Sequence, residues 1–315
     1  MKKKHNHMGS GTLWEKTRDR TNYALITGAL QPIPTKGVFM ADGGIDFFVR
    51  IVSNLGRKED AEARQKANDD KKKNKNFNPF LPYEKEMFVA EVSDTHICLL
   101  NKFNVIDHHL LIITRTFEDQ ENLLTKRDFE AILACMGEFE GLVFYNGGVV
   151  AGASQKHKHL QMIPLPMTQN GPDIPLESLF TDVGFEGEPG VIPGLDFVHC
   201  FVRLNQEWTL NASGGSKDLY RLYRIMLQTV GLNRSFEPEE NVQSGPYNLL
   251  LTREWMLMVP RSKEFFGSIS INALGFAGAL LVQNEQQIQM LKEHGGMAVL
   301  KHTAITAQSD PDLLS

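Results

Sequence analysis

With 315 residues, 42% of them hydrophobic, the chain can bury one large core or two smaller ones. Its net charge of -5, with both signs interspersed, leaves no basic footprint for nucleic acid or an anionic membrane. Three cysteines without a CxxC pair argue for small buried thiols in a reducing compartment, and no apolar run approaches a membrane span, so a cytoplasmic protein is expected.

The opening MKKKHNHMGSG has lysines with no apolar core after them, and residues 1–11 read as a leader or disordered end. An amphipathic helix is predicted over 12–30, with Leu13, Trp14, Tyr23, Leu25 and Ile26 as core positions and Pro32 and Pro34 beyond it. GIDFFVRIVSNL (44–55) alternates as a strand does. The charged GRKEDAEARQKANDDKKKNKN (56–76) reads as a solvated loop or frayed helix. After NPFLPYE, the runs MFVAEV, HICLLNKF and HHLLIITR have the length and composition of buried strands.

Residues 125–142 space Phe129, Ile132, Leu133, Met136 and Phe139 as a helix does, and FYNGGVVAGASQ reads as a glycine-bearing turn. Residues 167–194, dense in proline and glycine, form a long connection. Beyond it come a strand (FVHCFVRL), a helix over 216–232, two strands (YNLLLT and WMLMVPR) and a helical region near 274–292. HICLLNKFNVIDHHLLIITR is similar to GPYNLLLTREWMLMVPR, which suggests a duplicated sheet unit. The expected fold is α+β, an antiparallel sheet with flanking helices, in two related halves: 12–166 and 195–315.

GASQKHKHLQMIPLP carries the chemistry. On a strand, His157, His159 and Gln161 share one face while Lys158, Leu160 and Met162 share the other. Two imidazoles at this spacing can share a metal, but a zinc site needs three or four ligands and glutamine is a poor one, so no metal site is expected. A neutral imidazole can instead attack phosphorus and hold the transferred group. That role needs donors around the phosphate oxygens, and the amides of Gly152, Ala153, Ser154 and Gln155, the Ser154 hydroxyl, Asn146 and the Gln161 carboxamide supply them. His96, His108, His109 and His199 read as structural.

YNGGVVAGASQKHKHLQ resembles the signature of the histidine-triad superfamily in its HxHxQ transferase branch. Within it, the chain resembles the diadenosine tetraphosphate phosphorylase (ATP adenylyltransferase) family through TGALQPI, NPFLPYE, LLNKFNVIDHHLLIITR, FYNGGVVAGASQKHKHLQMIP and YNLLLTREWMLMVPRSKEFF. The resemblance implies a histidine-triad-like fold and phosphorolysis of diadenosine tetraphosphate to ATP and ADP. It implies that His159 is the nucleophile, that His157 orients it through the backbone and that Gln161 holds the adenylyl phosphate. It also implies nucleotide contacts at Lys58, Asn101, Lys102, Asn146, Gly152 to Gln155, Asn248, Thr252 and Arg253. Dinucleoside polyphosphate, ATP, ADP and phosphate are the implied partners, with a divalent cation such as Mg2+ accompanying the polyphosphate, no organic cofactor, and a monomer sufficient for one site. A hexose-1-phosphate uridylyltransferase, a nucleotide-sugar phosphorylase and a non-catalytic nucleotide-binding protein are the alternatives.

Overall fold

The computed structural model describes residues 11–53, 78–180, 183, 187–205, 207–208, 212–233 and 241–306; the charged segment 56–76, with Lys58, lies outside them. Helix α1 (Thr12–Ile26) is shorter than the apolar pattern suggests and turns a different face inward. Leu13, Thr17, Thr21 and Ala24 are buried, whereas Tyr23, Leu25 and Ile26 are exposed. The threonines can face the core because each hydroxyl donates to the carbonyl one turn back, Thr17 to Leu13 and Thr21 to Thr17, both at 2.8 Å. Strands β1 (Thr35–Asp42) and β2 (Ile45–Val52) form a hairpin around Gly43 and Gly44, both at positive φ. β1 is mostly exposed and lacks the alternation that announces β2.

Strands β3 (Phe88–Glu91), β4 (His96–Leu100) and β5 (Leu110–Thr114) follow, then α2 (Lys126–Met136), which a Thr125–Asp128 capping box starts. β6 (Gly141–Gly147) runs through FYNG, so strand extends into the segment expected to be a turn. β7 (His159–Pro164) holds His159 and Gln161, while His157 makes an isolated bridge with Asp119 just before it. The second half contributes β8 (Cys200–Arg203), α3 (Ala212–Thr229), β9 (Tyr247–Leu251) and β10 (Trp255–Pro260). A short hairpin, β11 (Phe265–Phe266) with β12 (Ile269–Ser270), precedes β13 (Ala279–Val282), α4 (Glu285–His294) and α5 (Gly296–Thr303). The helix expected near 274–292 is thus interrupted by a strand. Gly278 stands at φ +85, where a Cβ would come within 2.7 Å of Pro175, and ALLV after it pairs in parallel with β2.

Eight strands make one sheet in the order β3-β4-β5-β7-β6-β9-β10-β8. Alternate side chains along its strands feed two cores. Leu160, Met162, Val143 and Met256 pack with α2 and α3, while Leu142, Phe144, Leu257 and Val259 pack with β2, β13, α4 and α5. Cys98, Cys135 and Cys200 are free and buried, and no helix among the described residues is long and apolar enough to cross a membrane.

Within that order the six strands β5-β7-β6-β9-β10-β8 are symmetric about the β6–β9 pair, with β3 and β4 added beyond β5. Each half runs strand, helix, strand, strand in sequence, β5-α2-β6-β7 and β8-α3-β9-β10, and each places its last strand between the other two. The repeat is therefore real, but its register differs from the one expected: β9–β10 takes the place of β6–β7, not of β4–β5. Apolar strands joined by a polar pair look alike, and only the intervening helix tells them apart. HLQMIP on β7 corresponds to WMLMVP on β10, with Trp255 in the place of His159.

Candidate active site

β7 sets His159 opposite Ile113 of β5, and the ring lies on the face shared with Phe80. Its Nδ1 is 2.8 Å from the carbonyl of His157. A carbonyl only accepts, so Nδ1 carries the proton and Nε2 presents a lone pair, with no hydrogen-bond partner among the described residues. Burial pulls this imidazole down from 6.5 to about 4, against the partial support of the His157 carbonyl. A neutral, single-tautomer ring is the result.

His157 is fixed from three sides. Its Nε2 lies 2.9 Å from the Thr114 carbonyl and 2.8 Å from the Thr114 hydroxyl, and its Nδ1 accepts from Asn78 Nδ2 at 2.9 Å. Phe80 and Phe117 close on the ring edge-on. Between the two histidines, Lys158 faces the opposite core, its ammonium bonded to Glu118 (3.0 Å), Asp128 (3.2 Å) and the Leu123 carbonyl (3.0 Å). Asp128 also takes His96 at 3.1 Å, and these partners hold its carboxyl well below the usual range despite burial.

The turn before the motif needs its glycines. Gly148 and Gly152 stand at φ +89 and +91, and a Cβ on Gly152 would come within 2.7 Å of Asn272. Gly152, Ala153, Ser154 and Gln155 line a cavity of about 540 Å³, with Phe103, Val105 and Ile106 after β4 and Arg50 from β2 also on its wall. Arg50 donates Nη2 to the Met167 carbonyl at 3.2 Å, lies over the Phe48 ring, and leaves Nε buried without a partner.

Gln120 bonds the backbones of both Asn146 and His159, and Asn248 ties Asn146 to Ala151 at the start of the turn 152–155, whose residues line the cavity while His157, His159 and Gln161 do not. Asn146 has its Oδ1 occupied by Asn248 Nδ2 and the Ala273 amide, both at 2.9 Å. Asn101 turns its Nδ2 to His109 Nδ1 (3.2 Å), and Lys102 pairs with Glu84 at the surface (2.6 Å). His109 is buried, and burial lowers it to about 4 beside Gln161 and His159.

Three second-half residues named from the resemblance are engaged within the protein itself. Asn248 is fully buried, its Nδ2 donating to Asn146 Oδ1 and the Ala151 carbonyl and its Oδ1 accepting from Arg261, so it braces the turn. Thr252 accepts the amides of Glu254 and Trp255 in the β9–β10 turn. Arg253 donates to the Met136 carbonyl at the end of α2. Leu251 pairs with Val143 and Asn248 with Asn146, so Thr252 and Arg253 lie about 13 and about 17 Å along the sheet from the His159 end. Sequence reading missed Thr114, Asn78, Phe80, Gln120 and Arg261. Asn78 and Phe80 lie in the quoted NPFLPYE, whereas Gln120 and Arg261 carry no local signal.

A symmetric antiparallel sheet with HxHxQ on an inner strand beneath a glycine turn defines the histidine-triad-like class. Residues 3–182 match the Ap4A phosphorylase N-terminal domain and residues 193–306 the ATP adenylyltransferase C-terminal domain. The chain belongs to the Ap4A phosphorylase family. It is 28% identical over 274 residues to diadenosine 5',5'''-P1,P4-tetraphosphate phosphorylase 2 of Saccharomyces cerevisiae, covering 78% of this chain and 79% of that protein. Protein APA1 of the same yeast is 30% identical over 215 residues, 62% of this chain and 64% of its own length. The crystal structure of yeast Ap4A phosphorylase Apa2 in complex with AMP superposes with a TM-score of 0.73 at 25% identity, covering 95% of this chain and 99% of that one.

Proposed function

We propose that the protein splits diadenosine tetraphosphate with inorganic phosphate into ATP and ADP, carrying the adenylyl group on His159. One observation supports this above the others: the His159 ring is neutral, its Nδ1 proton is held by the His157 carbonyl, and its Nε2 lone pair is left for attack. Nε2 attacks the α-phosphorus, an N–P bond forms, and ATP departs with the electron pair of the broken P–O bond. A phosphate oxygen then attacks the same phosphorus, the N–P bond breaks, and ADP leaves a neutral imidazole behind.

Gln161 has no titrating proton to give to the leaving oxygen, and polyphosphate departure as an anion needs none. Its carboxamide instead holds an oxygen of the adenylyl phosphate, and the amides of Gly152 to Gln155 with the Ser154 hydroxyl meet the others. The cavity along that turn receives the nucleotide, and Asn101 and Lys102 immediately precede Phe103 of its wall in the chain. His157 orients His159 through its carbonyl. A divalent cation such as Mg2+ enters with the polyphosphate as part of the substrate, neutralising charge on its oxygens.

Labelled dinucleotide without phosphate tests this reading. An acid-labile adenylate should appear on the intact protein by mass, be absent from His159→Ala, and discharge as ADP when phosphate is added. No adduct, or an adduct on His159→Ala, refutes it. Product analysis with nucleotide sugars separates the phosphorylases and uridylyltransferases that use other donors.

A further inference from the structure

The β6–β7 ladder stops short of the nucleophile. Its register runs from Gly141↔Pro164 to Phe144↔Gln161. Continued two residues further, it would set Asn146 opposite His159, where the two backbones would exchange N–H···O bonds. A side chain takes that place. Gln120 Oε1 accepts from the His159 amide at 2.8 Å, and Nε2 donates to the His159 carbonyl at 3.2 Å and the Asn146 carbonyl at 2.9 Å.

Gln120 is itself held without slack. It is 2% exposed. Its amide donates to the Lys156 carbonyl at 2.7 Å, and its carbonyl accepts from the Tyr145 hydroxyl. The preceding Asp119 is bridged to His157, and Glu118 accepts both the Lys158 amide (2.8 Å) and the Lys158 ammonium (3.0 Å). Residues 118–120 therefore run beside His157–His159 as a short brace, bonded to each of the three.

We infer that Gln120 is a positioning residue for the nucleophile. Its carboxamide stands in for a strand residue, parts β6 from β7 by the width of one side chain, and still bonds both backbone groups of His159. This fixes the backbone from which the ring reaches the His157 carbonyl, and so fixes where Nε2 sits beneath the turn. The inference rests on the adenylyl-His159 reading.

Two variants test it. Gln120→Met keeps the length but can neither donate nor accept, leaving one amide and two carbonyls without their partner. Its kcat should fall by about 10²-fold while KM for the dinucleotide moves by less than about threefold, because a small misplacement of a reacting atom acts on the chemical step. Gln120→Glu can still accept from the His159 amide, but its other oxygen faces two carbonyls and donates only when protonated. Its kcat relative to the unchanged protein should therefore rise as pH falls.

An unchanged kcat in Gln120→Met overturns the inference, as does a loss fully accounted for by a smaller folded fraction measured by circular dichroism. A pH-independent kcat ratio for Gln120→Glu also overturns it, and that ratio decides alone should Gln120→Met not fold. If the unchanged protein forms no adenylate on His159, it is the functional reading that fails, and this is seen before either variant is made.

Discussion

Acidification should leave the nucleophile competent well below the range in which an ordinary imidazole protonates. Burial holds His159 at about 4 against 6.5 for a solvated ring. At about pH 5, a ring of the ordinary kind is about 3% neutral and His159 about 90% neutral, a difference of about 30-fold in competent enzyme. The assay is single-turnover adenylation with saturating dinucleotide and no phosphate, followed by quench and intact mass across a pH series.

Folding must be followed beside it. His159 and His109 both have folded values near 4 that lie below the unfolded 6.5. The unfolded chain binds more protons between the two values, so stability is complete above about 6.5 and declines as pH falls toward 4, by about 3 kcal/mol for each ring. The expected profile is an acid limb near 4 to 5, with the protein still folded by circular dichroism. A limb centred near 6.5 in folded protein would refute the neutral, desolvated nucleophile.

Two further outcomes concern the surroundings of the motif. Lys158→Met removes a fully buried ammonium and leaves the Asp128 carboxylate with His96 and Thr125, at a cost of about 3–5 kcal/mol, read as a fall of roughly 6–15 °C in Tm; a fall under about 2 °C would contradict the network. Gly152→Ala forces a side chain into a left-handed conformation and against Asn272, so AMP affinity by calorimetry should drop about tenfold with the fold retained, and unchanged affinity would remove the turn from the site.

How much of this was legible depended on range. The all-buried strands β4, β5, β9 and β10 announce themselves as apolar runs, and the HxHxQ spacing places His159 and Gln161 on one strand from five consecutive residues. β1 was illegible because it is mostly exposed, and the inward face of α1 because threonine hydroxyls satisfied along the helix behave there as apolar groups. Gln120 was illegible because its role is defined across 39 residues of chain, by a bond to a backbone amide that any residue in place of His159 would also offer. The internal bonds of Asn248, Thr252 and Arg253 were illegible for the same reason: they close a strand pair, a turn and a helix end whose other members lie elsewhere or on the backbone.

The six strands around the β6–β9 pair repeat one arrangement, but the two halves do not carry the same groups at matching places. In the second half the position of His159 belongs to Trp255, which is 1% exposed. Its indole donates to Glu177 at 2.7 Å and meets Phe180 edge-on at 5.0 Å, both residues lying in the connection that follows β7. An imidazole in that place would lie against Phe180 and Glu177 of that connection. Asn248, directly across the pair axis from Asn146, shows what the second half lends to the first: it holds the first half's turn through the Ala151 carbonyl.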